Sequence, residues 1–130
     1  MKPYLLFIFL LIYWAVDTQA QRQITPVNFS KVTVKDYFWK PRTEKVHSAT
    51  LPVCMTYTED STARIKNFEN AALRSGKHKG IYFDDSDVYK VIEGIAYTLK
   101  TTPDKVLEAK TDEWINKIAA AQLPDGYLNT

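Results

Sequence analysis

The stretch that most constrains the fold is 83–130, FDDSDVYKVIEGIAYTLKTTPDKVLEAKTDEWINKIAAAQLPDGYLNT. It holds two amphipathic helical patterns joined by a very short connector. In the first, apolar residues recur at Val88, Val91, Ile92, Ile95, Ala96 and Leu99, one stripe at helical spacing. Lys90, Glu93, Gly94 and Thr98 fall on the opposite side. Asp85, Ser86 and Asp87 mark the start, because such side chains accept hydrogen bonds from the free N–H groups of a first turn and complement its dipole. The second pattern begins at Thr102-Pro103-Asp104, with Thr as the cap and Pro at the first helical position. Its stripe is Leu107, Thr111, Trp114, Ile115, Ile118 and Ala121 or Gln122, and Pro124-Asp125-Gly126 closes it. The connector at Lys100-Thr101 permits only antiparallel neighbours. Such an αα-hairpin keeps apolar surface on both helices, so further helices are expected beside it.

Upstream the patterns are weaker. Residues 42–60 show loose helical spacing interrupted by Pro52, which predicts a kinked or late-starting helix. Residues 61–74 form a better short helix, with Ile65, Phe68, Ala71 and Ala72 on one side. The segment 75–80 is a loop by its two glycines and basic side chains. His47 and His78 read as solvated. Residues 29–35 alternate Val32 and Val34 with Lys31, Thr33 and Lys35, the signature of a short half-buried strand. Tyr37-Phe38-Trp39 follows as an aromatic knot, with Trp39 expected in the core. The fold class is therefore mainly α, three to four helices behind a short N-terminal β-strand, and 130 residues suggest one domain at most. A net charge of +2 with scattered basic residues excludes a nucleic-acid footprint.

Residues 1–20, MKPYLLFIFLLIYWAVDTQA, read as a signal peptide rather than fold. Lys2 is a short positive region, and the apolar run at 4–16 is too short to span a bilayer core of about 30 Å. Cleavage is placed after Ala20. The mature chain is then exported, periplasmic or extracellular, with no stable membrane insertion. The expected organisation is signal peptide 1–20, N-terminal arm and strand 21–35, and helical segment 36–130. Cys54 is the single cysteine, so no internal disulfide forms, and Val53 and Met55 beside it supply no charge to activate a thiol.

Asp84, Asp85 and Asp87 crowd the start of the first hairpin helix. A calcium loop fails, because Tyr89 and Lys90 stand where ligands or glycine are needed. A glycosidase acid pair needs two carboxylates about 5–9.5 Å apart across a scissile bond, which neighbours at one helix start do not provide by themselves. Two readings stay open: helix capping alone, or capping combined with hydrogen bonds to sugar hydroxyls. Lys90 lies one turn further, within reach of Asp87. Asp125-Gly126-Tyr127 is either a plain helix-ending turn or a rim turn whose ring lines a sugar site. The candidate substrate-binding residues are thus Asp85, Asp87, Lys90, Asp125 and Tyr127, with no catalytic residue and no metal ligand.

The strings GIYFDDSDVYKVIEGIAYTL and PDKVLEAKTDEWINKIAAAQLPDGYLNT are preceded by VTVKDYFWKPR and by RIKNFENAA at 64–72. Together, over 29–130, they resemble the N-terminal part of glycoside hydrolase family 127. The resemblance implies an (α/α)6-barrel catalytic domain, of which 36–130 is an incomplete N-terminal part. It implies hydrolysis of terminal β-L-arabinofuranosides with retention, by a cysteine thiolate nucleophile and a glutamate acid/base. A zinc held by cysteines and a glutamate is expected in a full-length member. None of those residues has a counterpart in 1–130, so no cofactor is assigned to this chain. A glycan bearing arabinofuranose is the partner implied for the whole enzyme. Two alternatives remain. One is a small helical module that binds sugar or protein without catalysis. The other is part of a different α/α-barrel sugar hydrolase, which the DSDVYK string speaks against. Helices with uncovered apolar faces also imply that a 21–130 segment alone folds poorly or aggregates, and a sharp cooperative melt of that segment would refute this.

Overall fold

The computed structural model describes residues 24–130. The chain divides into two units, 1–31 and 32–130. The signal peptide expected at 1–20, with its cleavage site at Ala20, lies outside the described residues.

In the first unit, Phe29–Lys31 form a single 3-10 turn. Asn28 Oδ1 holds it, accepting from the Ser30 amide at 3.0 Å and the Ser30 hydroxyl at 2.8 Å. The β-strand expected at 29–35 is therefore not formed. The Asn28 side chain folds 29–31 into a turn, 32–35 are irregular, and no strand exists among the described residues for Val32 and Val34 to pair with.

The second unit is helical. Asp36 Oδ1 accepts the amides of Phe38 and Trp39, which starts the first helix. Helix α1 (Trp39–Lys45) runs into a π-helical turn (Val46–Thr50), then α2 (Leu51–Thr56) and a second π turn (Tyr57–Ser61). Residues 39–61 are thus one helical run, and Pro52 neither breaks it nor delays its start. The π turn directly before Pro52 widens the ladder, with the Leu51 N–H donating to the Val46 carbonyl, which accommodates a residue that has no N–H to give. Trp39 is 59% exposed, stacked edge-on against Phe38 rather than placed in the core.

Thr62 ends this run, and Ala63 takes a left-handed φ of 56°. Helix α3 (Arg64–Ala72), helix α4 (Asp85–Thr101) and helix α5 (Lys105–Ala121) follow. The cap of α5 is Asp104 rather than Thr102. Asp104 Oδ1 accepts from the amides of Val106 and Leu107, both at 3.0 Å. Its other oxygen lies 3.0 Å from His47 Nε2 on the first π turn, so His47 pins the end of α5 instead of standing in solvent. The Leu107 amide, then His47, hold the Asp104 carboxyl below its ordinary range.

The core is Ile65, Phe68, Val88, Trp114 and Ala121, with Met55, Val91, Ile92 and Ile118 against it. Helix α5 packs more closely on α3 than on its hairpin partner α4. The expected stripe on α4 is shifted: Ala96 is exposed, while Gly94 is half-buried. A Cβ on Gly94 would sit 3.6 Å from Leu51 Cδ2, so α2 covers the side of α4 assigned to solvent.

An ion cluster seals α3 and the second π turn to α5. Lys117 Nζ reaches Glu113 at 2.7 Å and Glu69 at 2.9 Å, and Lys110 Nζ reaches Glu59 at 2.8 Å and Glu113 at 3.0 Å. Glu113 first, then Glu69, raise the Lys117 pKa well above the ordinary lysine range. Lys117, then Lys110, hold Glu113 below the carboxylate range.

Trp114 is fully buried and Ile115 is 45% exposed. Trp114→Ala is expected to cost about 3–5 kcal/mol, and Ile115→Ala under about 0.5 kcal/mol. Urea pulse proteolysis of the native gene product measures both, and equal losses would contradict this placement of the core.

Candidate functional site

The site begins with two adjacent carboxylates at the start of α4, both nearly excluded from solvent: Asp84 is 4% exposed and Asp85 8%. Neither caps the helix through its side chain, so the capping expected of Asp85 is not what the residue does. Asp84 turns back to the preceding loop. Its Oδ2 accepts the Ile81 amide at 3.0 Å, and its Oδ1 meets Arg64 Nη2 at 3.3 Å. The Ile81 amide, followed by Arg64, lowers its pKa. Gly80 permits this approach. It has a φ of +103°, and a Cβ there would overlap Asp84 Oδ2.

Arg64 also reaches Asp87 Oδ2 at 3.0 Å, and Lys90 Nζ lies 3.1 Å from Asp87 Oδ1. The pairing of Asp87 with Lys90 is as the spacing suggests, and the tie to Arg64 is additional. Lys90 remains exposed.

Asp85 turns forward, to residue 130. Its Oδ2 accepts the Thr130 amide at 2.9 Å and its Oδ1 the Thr130 hydroxyl at 2.6 Å. The Thr130 Oγ1 lies 3.1 Å from His78 Nδ1, and His78 Nε2 lies 3.2 Å from the Ile81 carbonyl. His78 thus bridges Thr130 and the Ile81 carbonyl.

The loop 75–80 is held from below by Asn67, which is buried. Asn67 Nδ2 donates to the Lys79 carbonyl at 2.8 Å, and Asn67 Oδ1 accepts the Lys79 amide at 3.0 Å. Between this loop, one face of α3 and Asn129-Thr130 lies a cleft of about 240 Å³.

Asp125 and Tyr127 sit apart from this arrangement. Gly126 has a φ of +90°, the Tyr127 amide donates to Asp125 Oδ1 at 3.0 Å, and the Leu123 amide donates to the Tyr127 carbonyl at 2.9 Å. Asp125 is thus occupied in holding the turn. Tyr127 is 60% exposed and does not line the cleft. The structure brings Asp85 and Asp87 with Lys90 to one helix start and leaves Asp125 and Tyr127 on a separate turn. Sequence reasoning missed Arg64, Asn67 and Thr130. The signal available for Asn67 was an amide between two apolar positions, Ile65 and Phe68. Among the described residues no three His, Cys, Asp or Glu side chains converge to hold a metal.

Asp85→Ala removes both acceptors from Thr130. Hydrogen exchange of the Thr130 amide in the native gene product is expected to quicken about tenfold, by the loss of a charge-assisted bond. Asp125→Ala should quicken only the Tyr127 amide. Unchanged Thr130 exchange in Asp85→Ala would show that this carboxylate does not hold the segment.

Residues 31–130 match the GH127 catalytic domain of the β-L-arabinofuranosidases. A non-reducing end β-L-arabinofuranosidase of Bifidobacterium longum subsp. longum is 33% identical across 76% of this chain. A solved GH127 β-arabinofuranosidase superposes over 80% of the chain, with 43% identity and a TM-score of 0.74. A GH127 β-L-arabinofuranosidase from Geobacillus stearothermophilus T6 does so over 75%, with 39% identity and a TM-score of 0.72. The chain spans 18% of the Bifidobacterium protein and 17% and 16% of the two solved chains. Its helices are those of a partial α/α barrel. The chain belongs to glycoside hydrolase family GH127 and carries part of that family's catalytic domain.

Proposed function

We propose that this chain is the front portion of the catalytic domain of an exported, retaining β-L-arabinofuranosidase, and that it turns over no substrate by itself. The observation that supports this most is one of extent. A match to the catalytic domain runs from 31 to 130, yet it spans under a fifth of each relative's length. The substrate class is a glycan with terminal β-L-arabinofuranose. The signal peptide read at 1–20, cleaved after Ala20, supports export to the periplasm or the outside.

In this reading the described residues position and do not react. Asp85 fixes Thr130, Arg64 and Lys90 orient Asp87, and Asp104 with His47 sets the start of α5. The Asp87 carboxylate and Lys90 ammonium offer acceptors and donors to sugar hydroxyls, and the Tyr127 ring offers a face to sugar C–H groups. A cysteine nucleophile, its glutamate acid/base and zinc belong to parts of the relatives that this chain does not span. Zinc lowers a thiol pKa and so supplies a thiolate.

The test uses an antibody against 64–80 on fractions of the source organism. The expected product is exported and several times heavier than the 15.0 kDa of this chain. It should release arabinose from p-nitrophenyl β-L-arabinofuranoside. A product no heavier than the 15.0 kDa of this chain that hydrolyses this substrate by itself would overturn the reading, as would a heavy product with no such activity.

A further inference from the structure

We draw no further inference here: the strongest candidate, the apolar flanks that Trp39 on α1, Val53 on α2, Tyr57 on the second π turn and Val106 and Ile115 on α5 leave exposed, carries nothing, because nothing in the structure shows what covers them.

Discussion

Two neighbouring carboxylates buried at one helix start are the constraint around which this structure is arranged. Removing a carboxylate from water costs several kcal/mol unless its charge is paired and its oxygens are bonded, and like charges on adjacent residues repel. Asp84 and Asp85 resolve this by facing opposite ways along the chain. Asp84 takes the Ile81 amide and the Arg64 guanidinium, which ties α4 to α3 and to the loop between them. Asp85 takes the amide and hydroxyl of Thr130, which ties α4 to the segment beyond α5. Three helices are thereby registered from one point. Gly80 is a consequence of this arrangement, because no side chain fits beside Asp84 there.

The helices were legible because their periodicity is local. Residues 85–101 and 105–121 announce themselves through apolar recurrence, a Pro-Asp start and a Gly turn. The faces were less legible. Gly94 looked solvated until Leu51 was placed over it, and Leu51 belongs to a helix with weak spacing and an internal proline. The caps were ambiguous for a related reason. Thr102, Asp104, Asp85 and Asp87 all have the chemistry to cap, and tertiary partners decided among them. Asp104 was free to turn to the helix, while Asp85 was claimed by Thr130, 45 residues away. The polar pairs that define the site, Arg64 with Asp84 and Asn67 with Lys79, lie 20 and 12 residues apart and leave no periodic trace. The strand expected at 29–35 failed for a different reason: alternation describes a face, and a face becomes a strand only against a neighbour.

Polar and apolar demands are met to different degrees in this unit. The buried Asp84 and Asp85 carboxylates and the lysine cluster at Lys110 and Lys117 find their partners within 59–117 and at Thr130, while the buried Arg64 Nε and Trp114 Nε1 find none. The apolar surface is not covered. Trp39, Val53, Tyr57, Val106 and Ile115 are each more than 40% exposed, on helices whose other faces are packed. Hydrophobic burial is additive in area and indifferent to partner, so such faces can be covered late and by many surfaces. Hydrogen-bonded charges require one geometry and tolerate little adjustment. A helical unit with closed polar ties and open apolar flanks therefore fixes its loops before its flanks are covered. The loop at 75–80, the start of α4 and the turn at 124–127 draw their shape from bonds within 64–130. Helices packing onto the exposed flanks would enlarge the core without redrawing that rim.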